Sequence, residues 1–294
     1  MTTILVGIDG SDGAKDALRW AFQEAMTYKR ARIIAVSAWF APVPVTSPWV
    51  VGFDLPIDLT EPTARTLADT VSAVAGKEFA TLEIEQRVIN GAPGPVLIAE
   101  AAHTDLVVVG SRGLGGFKGL LLGSVSHQVV THAPCSVVVV PHREGGDDAG
   151  GGRRSIVVGV DGSANSIAAL RWAARRALAT GATLRAIFAW RLPPVSMTPP
   201  SISMGLSPSD IVHHAASLTL DEYLAEAALP SDLRLERIPV EGTPAEVLID
   251  EGRRAELLVV GARGHEGFAG LLLGSVATAL ARHAPCPVAV IPDR

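Results

Sequence analysis

The chain has 294 residues, 48% of them hydrophobic and 19% charged, with a formal net charge of −5. This length suits about two domains, and the apolar content excludes a wholly disordered chain. The apolar runs are shorter than the roughly 20 residues of a membrane-spanning helix, and the acidic balance gives no reason to bind nucleic acid or an anionic membrane. Because no basic stretch precedes a long apolar core at the start, we expect a cytoplasmic protein.

Short apolar runs and segments of helical periodicity alternate along the first half of the chain. The first strand is followed by a helix whose natural N-cap is Ser11 or Asp12. A Pro-rich segment, 42–62, comes after the second strand. The predicted strands are 4–8, 33–39, 82–89, 106–109 and 137–140, and the predicted later helices are a segment ending near Phe79, then 94–102 and 124–132.

The second half of the chain repeats the first. Val6 to Ser11 (VGIDGS) returns as Val158 to Ser163 (VGVDGS), and 15 of 20 residues are identical between 106–125 and 257–276. A Gly-rich polar run separates the copies, as a flexible linker would. We therefore predict three regions: one domain at 1–143, a linker at 144–154 and a second domain at 155–294.

The strands are rich in Val and Ile and alternate with helices, which predicts a parallel sheet covered on both faces in each copy. Right-handed crossovers then give a doubly wound α/β domain. Ligands of such domains bind beyond the carboxyl ends of the strands, where the strand order reverses. The loops after the first and fourth strands are therefore the candidate site.

A glycine-rich loop follows the fourth strand in both copies. Gly110 and Gly113 are separated by two residues, nine more precede Gly123-Ser124, and Gly261, Gly264 and Gly274-Ser275 repeat this spacing. Glycines at positive φ would let the backbone approach a ligand, and the helix that begins at Ser124 would offer free N–H groups to an anion. A phosphate cradle is the simplest interpretation, with a purely structural turn as the alternative.

Other polar residues are open to plainer interpretations. Asp9 and Asp161 either contact a ligand or form turns before Gly-Ser, since Asp accepts hydrogen bonds from the following backbone. The repeated His-Ala-Pro-Cys segment, at 132–135 and 283–286, indicates packing rather than a metal site. His213 and His214 suit the start of a surface helix, and Trp20 and Trp172 suit the core.

At these motifs the sequence resembles the universal stress protein family, in particular its tandem-domain members of the ATP-binding class. That class carries the same glycine spacing together with an Asp at the end of the first strand, here Asp9 and Asp161. The resemblance covers nearly the whole chain apart from the linker. It implies two flavodoxin-like domains, each with a five-stranded parallel sheet of order 3-2-1-4-5, which places the ends of the first and fourth strands side by side.

The resemblance also implies which residues contact the nucleotide. Residues at the ends of the first two strands would line the nucleoside, and residues of the loop and the next helix would hold the phosphates. In the first copy these are Gly7, Asp9, Ala38, Gly110, Ser111, Arg112, Gly113, Gly115, Gly116, Gly123, Ser124 and Val125; in the second they are Gly159, Asp161, Ala189, Gly261, Ala262, Arg263, Gly264, Gly267, Gly274, Ser275 and Val276. The implied cofactor is ATP with Mg²⁺, which needs few protein ligands.

The function expected from the resemblance is an ATP-binding stress-response or regulatory protein in which ATP acts as a conformational input. One alternative is a slow ATPase or another nucleotide-dependent enzyme, and the other is a nucleotide-free interaction scaffold. The two domains are expected to pair about a pseudo-twofold axis through their last strands, and a further homodimer and protein partners stay open. The second site is expected to be the weaker, because His265-Glu266 replaces Leu114-Gly115 and places a carboxylate near the phosphates. The role of the Pro-rich segments, 42–62 and 192–209, stays undecided.

Overall fold

A computed structural model describes residues 1–40, 58–114, 121–142, 155–191, 208–265 and 272–292. The chain divides into two compact units, Met1–Pro134 and Cys135–Arg294. Among the helices in the described ranges, none combines the length and the apolar character that a membrane span requires. Most of the Pro-rich segments, the linker and the middle of each glycine loop lie outside the described residues.

The first unit is a parallel sheet covered by helices. Its strands lie in the order β3-β2-β1-β4, and Ile4 of β1 pairs with Ile33 of β2 on one side and Leu106 of β4 on the other. The strand order therefore reverses at β1. The strands are β1 (Thr2–Gly7), β2 (Ala31–Trp39), β3 (Glu83–Asn90) and β4 (Leu106–Gly110), and the helices are α1 (Asp12–Ala25), α2 (Thr60–Val74), α3 (Pro93–Ala101) and α4 (Ser124–His132).

The second unit repeats this arrangement. Its parallel strands follow the order β8-β7-β6-β9-β10, which is 3-2-1-4-5 within the second copy. Strand β5 also belongs to this unit and pairs with β10 in antiparallel orientation, with Val290 opposite Val137. The strands are β5 (Ser136–Val140), β6 (Ser155–Gly159), β7 (Thr183–Trp190), β8 (Leu235–Glu241), β9 (Leu257–Gly261) and β10 (Val288–Ile291), and the helices are α5 (Ala164–Thr180), α6 (Pro208–Ala227), α7 (Pro244–Gly252) and α8 (Ser275–His283).

The core of each unit consists of the central strands and the apolar faces of the helices. Ile4 and Leu5 in β1, and Ile156 and Val157 in β6, are fully buried. Strands buried on both faces read as continuous apolar runs, which is why the sequence indicates a parallel sheet. The predicted alternation of strands and helices is confirmed. The helix predicted to reach Phe79 instead ends at Val74, ahead of Gly76, and a 3₁₀ turn follows at Lys77–Phe79.

Packing accounts for the residues interpreted above as structural. Cys135 and Cys286 are buried, as is Trp20 on α1, and Trp172 on α5 is half-buried. Within the described ranges, no group of three His, Cys, Asp or Glu side chains is arranged to hold a metal ion. His213 is exposed on α6 and meets Trp190 edge to face, with ring centroids 6.1 Å apart.

Candidate functional site

Asp9 joins the end of β1 to the glycine loop that follows β4. One carboxylate oxygen, Oδ1, accepts hydrogen bonds from the backbone N–H of Ser11 at 3.0 Å and from its hydroxyl at 2.6 Å. The other, Oδ2, accepts from the backbone N–H of Leu114 at 2.9 Å. The turn-forming role of Asp9 is therefore present, and the same side chain also anchors a loop 105 residues away. Its contact with a ligand stays a prediction.

Asp161 makes the same bonds in the second unit. Its Oδ1 accepts from the N–H of Ser163 at 3.0 Å and from the hydroxyl at 2.6 Å, and its Oδ2 accepts from the N–H of His265 at 3.2 Å. Burial raises the pKa of Asp161, but the hydrogen bonds from the hydroxyl and N–H of Ser163 and from the N–H of His265 outweigh it, so the pKa lies below its usual value. The carboxylate is thus held in its charged form.

Gly113 and Gly264 are needed because of a close contact and not because of their φ angles. The expectation of positive φ is wrong for the loop glycines at 110, 113, 123, 261, 264 and 274, which lie outside the left-handed region. A Cβ atom on Gly113 would overlap Oδ2 of Asp9 and lie 3.2 Å from its Cγ, and a Cβ on Gly264 would overlap Oδ2 of Asp161. Any side chain at either position therefore displaces the carboxylate that anchors the loop.

Backbone hydrogen bonds bring the two ends of each loop together. The N–H of Gly123 donates to the carbonyl of Ser111 at 2.7 Å, and the N–H of Gly274 donates to that of Ala262 at the same distance. In the first unit, the hydroxyl of Ser126 also donates to the carbonyl of Gly110 at 2.6 Å. The start of α4 is thereby fixed beside the end of β4, and the start of α8 beside the end of β9.

The helices that follow these loops begin without a side-chain cap. Gly123 and Gly274 are the N-cap residues of α4 and α8, and no side chain in the described ranges accepts from the first turn of either helix. In contrast, Ser11 and Ser163 cap α1 and α5 by accepting from Ala14 and Ser166. An uncapped first turn leaves N–H groups and the positive end of the helix dipole facing the loop, where an anion is favoured. Ser124 and Ser275 lie exposed at these positions.

The remaining predicted site residues fall into four groups. Gly7 and Gly159 end β1 and β6 and make room for Leu97 and Leu248, whose Cδ1 atoms would lie 2.8 Å from an added Cβ. Arg112 and Arg263 are exposed in the loop. Four further residues are half-buried: Ala38, Val125, Ala189 and Val276. Gly115, Gly116, Gly267 and Glu266 lie outside the described residues.

Two neighbours of the site were missed by the sequence analysis. Tyr223 on α6 lies against Gly162, and Asn165 at the start of α5 packs against Gly261. Asn165 replaces Gly13 of the first copy, so the repeat alignment alone would reveal this difference. Counting from the repeat pairs Tyr223 with Ser72, which gives no sign of an aromatic contact at this place.

These features define a doubly wound α/β domain with a glycine loop at the point where the strand order reverses. The chain contains this domain twice. The model of the universal stress protein family matches residues 1–141 and 152–292. The chain is 31% identical over 302 residues to a universal stress protein of Mycolicibacterium smegmatis (strain ATCC 700084 / mc(2)155), covering 99% of this chain and 97% of the relative. It is 32% identical over 299 residues to one of Mycobacterium tuberculosis (strain ATCC 25618 / H37Rv), covering 98% and 95%.

A solved universal stress protein from Archaeoglobus fulgidus DSM 4304 has the same fold. It superimposes with a TM-score of 0.67 at 20% sequence identity, covering 99% of this chain and 96% of that one. Together with the family match over both halves, these similarities show that the chain belongs to the universal stress protein family and contains two of its domains.

Proposed function

We propose that this protein binds one ATP molecule in each domain and uses the bound nucleotide as a conformational input in a cytoplasmic stress response. The observation that carries the proposal is the pair of uncapped helix starts, Gly123-Ser124 and Gly274-Ser275, each closed onto a glycine loop. Several phosphate oxygens would satisfy the N–H groups that no side chain in the described ranges caps. The family's glycine spacing supports ATP as the anion.

The two aspartates suit the nucleoside end of such a ligand. An ionised carboxylate has about four acceptor positions. Asp9 uses three of them for Ser11 and Leu114, and Asp161 uses three for Ser163 and His265. The remaining position on each carboxylate is suited to a ribose hydroxyl, which is a donor. Mg²⁺ in this proposal is held chiefly by phosphates and water.

The same hydrogen bonds favour a regulatory role over hydrolysis. A general base needs a free lone pair and a pKa near the working pH. The carboxylate of Asp161 is largely engaged and its pKa is lowered, so it is a poor base for activating water. We therefore expect ATP to remain intact while bound.

Equilibrium dialysis of the full chain against radiolabelled ATP and Mg²⁺ tests this function. We expect two molecules bound per chain, recovered as ATP after hours of incubation. Recovery as ADP would favour the slow ATPase, and the absence of binding at millimolar ATP would favour the nucleotide-free scaffold. Bovine serum albumin under the same conditions measures non-specific retention.

We also propose that the two domains pair about a pseudo-twofold axis through their last strands. Strand β5 is the last strand of the first domain as predicted from the sequence, 1–143, and β10 is the last strand of the second. Their antiparallel ladder, with Val138 opposite Ala289, supports this pairing. Opposed residues of antiparallel strands have Cα atoms about 4.5–5.5 Å apart, within the range of a disulfide. Cysteines at positions 138 and 289, in a chain lacking Cys135 and Cys286, should therefore form an intrachain disulfide. Failure to form one under oxidation contradicts the pairing.

A further inference from the structure

An aromatic ring covers the turn that follows Asp161 in the second unit. Tyr223 of α6 lies against Gly162, whose φ of 80° is in the left-handed region. A Cβ atom on Gly162 would overlap the ring and would lie 2.7 Å from the Tyr223 hydroxyl oxygen. Tyr223 is half-buried, so part of the residue remains accessible.

A second aromatic side chain links this ring to the neighbouring strand. Phe188 of β7 meets Tyr223 edge to face, with ring centroids 5.9 Å apart and an angle of 78° between the rings. Phe188 immediately precedes Ala189, the residue expected beside the base of the nucleotide. Tyr223 therefore bridges the ends of β6 and β7, the two strands assigned to the nucleoside end of the site.

The hydroxyl of Tyr223 lies within the electrostatic influence of Asp161. Burial, followed by the negative charges of Asp161, Glu222 and Glu226, raises the pKa of this hydroxyl. A tyrosine is already neutral near pH 7 and this shift keeps Tyr223 so, which lets its ring approach a nucleotide without adding an anion to the site.

The first unit has no such ring among its described residues at the equivalent place. Thr66 is the side chain nearest to Gly10, with Cγ2 2.7 Å from where a Cβ would lie. The position corresponding to Phe188 is occupied by Ser37. Asp9 is exposed where Asp161 is half-buried. The two domains thus share the glycine loop but differ at the strand ends that face the nucleoside.

We propose that Tyr223 is a stacking platform for a purine base, which makes the second site selective for purine nucleotides through a contact that none of the described residues makes in the first site. The inference rests on the proposed function, because it assigns a residue to the nucleoside end of that same site. Stacking on an aromatic side chain tolerates any flat base but grows with ring area, so purines gain more than pyrimidines. The difference at His265-Glu266 concerns the phosphate end, so the two differences act on separate parts of the ligand.

The test compares Tyr223→Leu with Tyr223→Phe in the full chain. Leu keeps an apolar side chain against Phe188 and removes the aromatic face, whereas Phe keeps the face and removes only the hydroxyl. We expect Tyr223→Leu to weaken one class of ATP sites about tenfold, equivalent to about 1.4 kcal/mol. Tyr223→Phe should bind ATP within twofold of the wild type.

Tripolyphosphate and CTP identify which end of the ligand the change affects. For Tyr223→Leu, we expect the loss to be largest for ATP, smaller for CTP and less than twofold for tripolyphosphate. Equal losses for all three ligands would mean a general structural effect and would overturn the inference, as would unchanged ATP affinity. Thermal unfolding of both variants checks that they fold. If the wild type binds no nucleotide, the proposed function fails; if it binds ATP and Tyr223→Leu changes nothing, only the inference fails.

Discussion

The two copies of the glycine loop are anchored by the same bonds but have different surroundings. In each copy, an aspartate accepts hydrogen bonds from the serine two residues later and from the backbone N–H of the residue that follows Gly113 or Gly264. The bond from the loop N–H is 2.9 Å long in the first unit and 3.2 Å in the second. The anchors agree because Asp9 and Ser11 return as Asp161 and Ser163, and because the loop contributes a backbone N–H, which Leu114 and His265 both supply. The motif therefore determines the anchor, while residues outside the motif determine what the ligand contacts.

Three substitutions account for the different surroundings. Gly13 lets the carbonyl of Arg112 approach to 2.5 Å from where a Cβ would lie, whereas the second copy has Asn165 there, and its Oδ1 has no hydrogen-bond partner in the described ranges. Ser126, which binds the carbonyl of Gly110, is replaced by Ala277. Tyr223 then adds an aromatic surface in the second unit alone among the described residues. We expect the sites to differ in affinity and selectivity, not in architecture.

The largest expected effect comes from a side chain at Gly113. Gly113→Val would displace the carboxylate of Asp9 and break its bond to the loop, and we expect ATP affinity at that site to fall on the order of a hundredfold. Isothermal calorimetry should then detect one site instead of two. Gly264→Val is the matched control, since it should remove the other site. Retention of two sites by Gly113→Val would contradict the account.

Substitutions at two serines distinguish an effect on ATP binding from an effect on stability. Ser124→Ala removes a hydroxyl at the uncapped start of α4, and we expect about tenfold weaker ATP binding with an unfolding free energy within about 0.5 kcal/mol of the wild type. Ser11→Ala removes the N-cap of α1 and should lower the unfolding free energy by about 1 kcal/mol. Urea denaturation and calorimetry of both variants measure the two quantities. A stability loss from Ser124→Ala equal to that from Ser11→Ala would show that Ser124 has a structural role.

An exchange of residues between the loops tests the expected weakness of the second site. Glu266→Gly removes a carboxylate near the expected phosphates and should strengthen that site about fivefold, because a like charge at about 4 Å costs roughly 1 kcal/mol in water. Gly115→Glu should weaken the first site by a similar factor. Each is measured in a chain whose other site carries the Val substitution. If neither exchange changes the affinity, these residues do not face the phosphates.

The smallest expected effect is a change in acid sensitivity. A carboxyl whose folded pKa is below its unfolded value contributes stability above the unfolded pKa, and this contribution is lost as the pH falls through the folded pKa. The pKa of Asp161 is below its usual value of 3.8. As the pH falls below the unfolded pKa, the unfolding free energy of the wild type should therefore decrease more steeply than the unfolding free energy of Asp161→Asn. Urea denaturation at pH values from about 5 to about 2.5 measures the slopes. Asp232→Asn, which changes an exposed aspartate, is the control. Identical slopes for Asp161→Asn and the wild type would contradict this origin of acid sensitivity.

Much of the fold could be predicted from the sequence because buried parallel strands leave a direct signal. The runs Ile4 to Ile8 and Leu106 to Val109 are apolar on both faces, and Ser11 is a strong N-cap signal. The end of α2 was less predictable, because the residues Lys77–Phe79 fit the end of a helix as well as the 3₁₀ turn that they form after Gly76.

The site was predictable where it depends on the motif and not where it depends on tertiary contacts. The spacing of Gly113 and Gly123 indicates the loop, but the reason for Gly113 is the carboxylate of Asp9, which is 104 positions away in the sequence. Tyr223 gave no signal because an aromatic residue on an amphipathic helix suits the core equally well. Only the folded arrangement places it against Gly162.

The most direct test of two nucleotide sites is the amount of nucleotide released on denaturation. The wild type, Gly113→Val, Gly264→Val and the double variant would be saturated with ATP and Mg²⁺, desalted, denatured and analysed by ion-exchange chromatography. We expect about two, one, one and zero molecules of ATP per chain, respectively, because each intact glycine loop provides one site. Equal release from the wild type and the double variant would contradict it, because nucleotide would then be bound away from the loops.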